Sequence, residues 1–133
     1  MKKPFGVLPD GRQATLYTIK NNALTATPTD FGATLVSLWV PDKNGTLADV
    51  VLGYDEPAGY EGPAGTFFGA TVGRSANRIA GASFELAGRT VNLTPNENTN
   101  NLHSGPDFYH ARLRRFFLVL HALYRSQERQ GAV

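Results

Sequence analysis

At 133 residues, 41% hydrophobic and 18% charged, the chain has material for one compact domain with a modest core and too little for two. No stretch approaches the ~18 apolar residues of a membrane span, and a sequence with no cysteine excludes disulfides and thiolate metal sites. The net charge of +2 is unevenly held: five arginines and one glutamate follow Ala111, which leaves eight basic and ten acidic side chains before it, so the main body gives no electrostatic reason to expect nucleic acid.

The opening stretch MKKPFGVLPDGRQ carries two lysines, but Pro4, Pro9 and Asp10 interrupt any apolar run, so no secretory signal is expected and a cytoplasmic location is the default. From Gln13 to about Leu93 the pattern is that of strands. ATLYTIK (14–20) alternates and is rich in β-formers, Asn21-Asn22 marks a turn, and ALTATPT (23–29) follows as a second short strand. FGATLVSLWVP (31–41) predicts a longer strand closed by Pro41 and the turn residues DKNG (42–45), and the apolar run ADVVLGY (48–54) predicts a buried strand. YDEPAGYEGPAG (54–65) packs two prolines and three glycines into a loop, after which TFFGATVG (66–73) returns to an apolar pattern.

ASFEL (82–86) and TVNL (90–93) flank Gly88 as a hairpin, and no convincing helical period precedes residue 108, so the body reads as an all-β antiparallel sandwich or part of one. The last segment changes character: in ARLRRFFLVLHALYRSQERQ (111–130), Leu113, Phe116, Phe117, Leu120 and Leu123 share one helical face, with arginines at both ends. A helix there would dock on the body, lie on a membrane surface or bind a partner, or else the segment is foreign to the fold. No internal repeat or low-complexity tract is present.

Two polar segments stand at the ends of the predicted hairpin. In NENTNNLHSGPD (96–107), Asn96, Asn98, Asn100 and Asn101 suit a complicated turn, because asparagine tolerates left-handed backbone angles and bonds its own chain. His103 has no core to fill in such a loop, and its ordinary pKa of about 6.5 suits proton transfer or hydrogen bonding to a polar ligand. In GATVGRSANRIAG (69–81), small residues permit close backbone approach around Asn77 and Arg78. The Arg78 guanidinium, with its fixed fork of donors, suits sugar hydroxyls or a carboxylate, and a surface ion pair is the alternative reading. Arg74 is a less well-placed candidate. There is no GxGxxG fingerprint, no metal cluster and no nucleophile–base pair, so the set points to a neutral polyhydroxylated ligand with some proton transfer.

At these residues the chain resembles the N-terminal third of the aldose 1-epimerase (galactose mutarotase) family. The matching segments are FGATLVSLWVPDKNGTLADVVLGYD (31–55), FFGATVGRSANRIAGASFELAGRTVNL (67–93) and NENTNNLHSGPD (96–107), in family order and with the family-like interval of 25 positions from Arg78 to His103. The likeness runs from roughly Gly6 to Leu113. It implies a galactose mutarotase-like antiparallel β-sandwich, incomplete here, and interconversion of the α and β anomers of free aldohexoses such as galactose and glucose. It implies no cofactor and no metal, and a small-molecule aldose as the partner. Asn77 and Arg78 would bind sugar hydroxyls, and His103 would stand by the ring oxygen as a supporting donor.

The family's second histidine, its binding aspartate and its catalytic glutamate would fall beyond residue 133. After YHARL (109–113), where the family continues into further strands, this chain reads RRFFLVLHALYRSQERQGAV (114–133). The expectation is therefore a truncated epimerase, family-like over 1–113 with a non-family basic tail over 114–133, and without turnover of its own. A non-catalytic sugar-binding domain, a tail that engages a membrane or partner, and epimerisation of a sugar phosphate are the alternatives. Which aldose is bound, and in what oligomeric state, is not written in these residues.

Overall fold

The computed structural model describes residues 1–61 and 67–106. Its strands are β1 (Lys2–Val7), β2 (Gln13–Tyr17), β3 (Ile19–Lys20), β4 (Thr25–Pro28), β5 (Leu35–Pro41), β6 (Leu47–Asp49), β7 (Arg78–Ile79), β8 (Ser83–Leu86), β9 (Arg89–Asn92) and β10 (Asn101–Leu102), with short 3-10 turns at Pro57–Tyr60 and Ala80–Ala82. All pairings are antiparallel: β1 with β2, β3-β4-β5-β6 in sequence order, β7 with β10, and β8 with β9. The all-β antiparallel class expected from the sequence holds. Among the described residues no helix is long and apolar enough to cross a membrane.

Local sequence accounts for most of these elements. Ala14 and Leu16, two apart on β2, turn the same way and are 0% and 6% exposed. Asn21 closes the β3–β4 turn by accepting from the amides of Ala23 and Leu24 through Oδ1 at 2.9 and 2.7 Å. Asp42 does the same for Asn44 and Thr46 before β6, each at 2.8 Å. The β8–β9 hairpin turns on Ala87 and Gly88, both at positive φ (50° and 72°), which is the two-residue geometry that matches strand twist.

Several elements differ from the sequence reading: β10 lies in the segment expected as a turn, and no strand forms over 67–73. β1 lies ahead of the first expected strand, in the stretch that Pro4 interrupts. A proline is tolerated there because β1 is the edge of a two-stranded sheet and the register shifts between Pro4 and Gly6. The run ADVVLGY, expected as a buried strand, keeps only β6, and Leu47, Val50 and Leu52 are 54%, 58% and 70% exposed. Asp49 explains where the strand stops: its Oδ1 accepts from the amides of Leu38 and Val51 at 2.9 and 3.1 Å, substituting a side chain for the ladder.

The core is Phe5 of β1, Leu8, Ala14 and Leu16, Phe31 and Tyr60, with Val36 and Tyr54 packed against it. Tyr60 sits edge-on to Tyr54 at 5.1 Å between ring centroids and tilted against Phe5 at 6.1 Å. Its hydroxyl oxygen accepts from the Tyr54 amide at 2.8 Å. Burial pushes its phenol pKa up. Asp30 couples the two larger sheets: its Oδ1 takes the Thr15 amide at 2.8 Å, and its own amide donates to the Thr15 carbonyl at 3.1 Å.

From this core one segment leads to the polar region. Leu35 N–H donates to the Gly69 carbonyl at 2.8 Å, and Thr71 Oγ1 to the Ala33 carbonyl at 2.8 Å, so residues 69–71 are pinned to the start of β5. Gly69 is required: at φ 59° a Cβ would run into the Leu35 carbonyl. The expected helix from 111, the boundary at 113/114, and His110 and His121 lie outside the described residues.

Candidate functional site

The hairpin β8–β9 occupies the chain between β7 and β10 and lets those two pair, with Leu102 opposite Arg78 and Asn101 opposite Ile79. Arg78 thus stands opposite Leu102, 24 positions on, with His103 the next residue beyond the end of this short ladder. Just past it, Asn77 and His103 continue the pairing. The His103 amide donates to the Asn77 carbonyl at 3.1 Å, and the Asn77 amide donates to His103 Nδ1 at 3.0 Å.

The second of these bonds sets the histidine tautomer. Nδ1 accepts, so in the neutral ring the proton resides on Nε2, which becomes an N–H donor. Phe67 meets the same ring edge-on, with centroids 5.0 Å apart. Asn77, His103 and Ser104 all have left-handed backbone angles (φ 58°, 52° and 63°). Non-glycine residues held there are concentrated at sites where the surrounding structure over-determines the backbone.

That surrounding structure is the asparagine loop. Asn96 bonds both backbone groups of Leu102, accepting from its amide at 2.6 Å and donating to its carbonyl at 2.8 Å. Asn101 is fully buried and donates to the carbonyls of Thr94 and Gly105 at 2.8 and 3.1 Å. Asn100 accepts from the Gly81 amide at 3.2 Å, and Asn98 takes a left-handed turn position at φ 53°. Ser104 ties the loop to the other segment: its Oγ accepts from the Ser75 amide at 2.8 Å and donates to the Ser75 carbonyl at 3.1 Å. The asparagines are turn-builders, as the sequence indicated, and the histidine rides on what they build.

Arg78 is not a lone cation. Its Nε and Nη2 each donate to a Glu97 carboxylate oxygen at 2.5 Å, in a two-pronged ion pair, while Nη1 approaches Asn77 Oδ1 at 3.5 Å. The Arg78 hydrogen bond holds the Glu97 carboxyl below the usual glutamate range and raises the guanidinium further. Glu97 is absent from the sequence-based candidates. It lies 19 positions from Arg78 with no local pattern linking the two, and only the β7–β10 pairing reveals the contact. Phe67 and Ser75 escaped notice for the same reason.

Asn77 and Arg78 are exposed and His103 is half-buried, so the three form a polar surface open to solvent. A cleft of about 410 Å³ opens elsewhere, lined by residues of β1, β2 and β4–β6 with Trp39, Asp49 and Tyr54 among them, and none of the three takes part in it. Chemistry, not volume, marks the site. Among the described residues no group of three or more histidine or acidic side chains is arranged to hold a metal ion.

Known proteins resemble this chain over most of its length. The sequence profile described as aldose 1-epimerase matches residues 15–120. The chain is 41% identical over 105 residues to the aldose 1-epimerase of Escherichia coli K12, covering 78% of this chain and 30% of that protein. It is 40% identical over 102 residues to the galactose mutarotase of Bos taurus, covering 76% and 30%. Among solved structures, an aldose epimerase homologue from C. elegans superposes with a TM-score of 0.65 at 41% identity, over 74% of this chain and 30% of that one. A galactose 1-epimerase from Lactobacillus acidophilus superposes with a TM-score of 0.67 at 22% identity, a likeness of fold alone, over 85% of this chain and 32% of that one. The chain spans about 30% of the length of the curated relatives it matches. With an antiparallel all-β fold, a profile match over most of its length and relatives above 40% identity, the chain belongs to the aldose 1-epimerase family.

Proposed function

We propose that Asn77, Arg78 and His103 form one wall of an aldose site, and that the reaction this wall serves is interconversion of the α and β anomers of free hexoses such as galactose and glucose. The observation that carries the reading is the reciprocal pairing of Asn77 and His103, which fixes an Nε2–H donor beside the Asn77–Arg78 pair. Anomer exchange needs a proton removed from the anomeric hydroxyl and one delivered to the ring oxygen. The C1–O5 bond opens, the aldehyde turns about C1–C2, and closure on its other face gives the second anomer. His103 Nε2–H is the donor toward the ring oxygen, and Asn77 and Arg78 hold hydroxyls. Protons are transferred and the C1–O5 bond breaks and re-forms with no net change of oxidation state, so the chemistry calls for no redox group.

Glu97 is a poor choice for the base. Its carboxylate is engaged by Arg78 and its proton affinity is reduced by that bond, the opposite of what proton abstraction needs. The glutamate base implied by the family likeness is not among the residues of this wall, so the wall by itself binds sugar without turnover. A cytoplasmic setting among free sugars belongs to the same proposal.

Calorimetry of the full chain with D-galactose and D-glucose tests it. Heat of binding that falls about tenfold or more in affinity in His103→Ala is expected, as for loss of a directional donor plus its ring contact. Polarimetry of α-D-glucose should show mutarotation at the buffer rate. A folded sample giving no heat overturns the sugar site, whereas acceleration abolished in His103→Ala would show that this chain holds a complete acid–base pair.

A further inference from the structure

We propose that Glu97 sets the charge preference of this surface, making it take an uncharged aldose and turn away a phosphorylated one. The inference rests on the aldose reading above and assigns the specificity of that same site. A guanidinium has five N–H donors, and its two-pronged edge is what phosphate oxygens seek. In Arg78 that edge is already occupied: Nε and Nη2 face the two oxygens of Glu97 at 2.5 Å each, and Nη1 faces Asn77. A phosphate group would have to displace a carboxylate or sit beside it, like charge against like charge. A sugar hydroxyl both donates and accepts, so a neutral ion pair offers it partners of both kinds.

Glu97 is rigidly presented. Its carbonyl accepts from the Asn100 amide at 2.9 Å and its amide donates to the Asn100 carbonyl at 3.2 Å, closing a tight turn through the left-handed Asn98. The bond from Arg78 holds the carboxyl below the usual glutamate range, so the carboxylate is ionised at neutral pH, where a sugar phosphate carries its charge. The side chains are 54% exposed for Arg78 and 29% for Glu97, so the discrimination acts through screened, water-exposed charges and depends on salt.

The test is calorimetric competition on the full chain with D-galactose and D-galactose 6-phosphate, at about 0.05 M and about 0.5 M salt. The wild-type chain is expected to prefer galactose. Glu97→Gln narrows the ratio of affinities about fivefold at low salt, with the gain largely lost at high salt. Arg78→Gln, which leaves Glu97 unopposed, widens the ratio, and this arm decides if Glu97→Gln fails to fold by near-ultraviolet circular dichroism. Affinities for both sugars that shift together, with their ratio unchanged in either variant, would mean Glu97 is merely structural and overturn the proposal. A wild-type chain that binds the phosphate as well as galactose overturns it too. If the wild-type chain binds neither, the aldose site itself falls.

Discussion

Glu97 and Arg78 show how much a single contact changes the meaning of a residue. Taken singly, Arg78 is a free donor for a ligand; paired, it is half of a neutral unit whose geometry is fixed. The pair also titrates in a predictable direction. Because the folded-state carboxyl is lowered from its ordinary 4.5, its stabilising contribution is fully present above the ordinary glutamate range and is lost as pH falls through the lowered value. The melting temperature of the wild-type chain should therefore exceed that of Glu97→Gln by a constant margin from about pH 6 to 8, and the two should converge below about pH 4. A carboxyl titration followed by NMR should place the Glu97 midpoint below the ordinary value and return it upward in Arg78→Gln. A margin that persists undiminished into strong acid would mean that the carboxylate does not act through Arg78.

At the scale of elements, the site depends on a loop that copies strand hydrogen bonding with side chains. Asn96 serves Leu102 as a neighbouring strand would, bonding its N–H and C=O together, and Leu102 is the residue that pairs with Arg78 and precedes His103. Asn96→Ala leaves both half-buried groups to find other partners, and a cost of about 1–2 kcal/mol in urea unfolding is expected. Faster hydrogen exchange at the Leu102 and His103 amides should accompany it. Unchanged exchange would place the loop's rigidity elsewhere, in the Ser75–Ser104 bonds. Much of this region was legible in sequence: Asn-rich composition announced the turn, Ala87-Gly88 sat where the hairpin reverses, and His103 stood out because it had no core to fill. The pairing of β7 with β10 was not legible. Two-residue strands carry no period, and the register that joins Leu102 to Arg78 comes from the intervening hairpin and the buried Asn101, both tertiary effects.

For the whole molecule, the alternation in ATLYTIK agrees with a strand that turns Ala14 and Leu16 inward, whereas the apolar run at 48–54 gave the wrong expectation, because hydrophobicity alone does not say which face is covered. The consequence is a small core. Among the described residues the buried apolar side chains are Phe5, Leu8, Ala14, Leu16, Phe31, Tyr60 and Ala82, while Val7, Leu52 and Leu86 stand 62–70% exposed. Phe31 is the test of how much rests on that cluster. It is 3% exposed, and its amide is held by Thr29 Oγ1 at 3.2 Å in the turn that carries the chain from β4 into β5. Removing a buried phenylalanine side chain costs about 3–5 kcal/mol. Ordinary domains have only about 5–15 kcal/mol in total. With so few buried anchors among the described residues, stability near the lower bound is expected, so Phe31→Ala should lose its cooperative urea transition at room temperature. Leu52→Ala, at a side chain 70% exposed, should move the midpoint little. Equal losses from the two substitutions would mean that the Phe5–Leu16–Phe31–Tyr60 cluster is not what holds the fold, and that the exposed face around Leu52 contributes as much as the buried one.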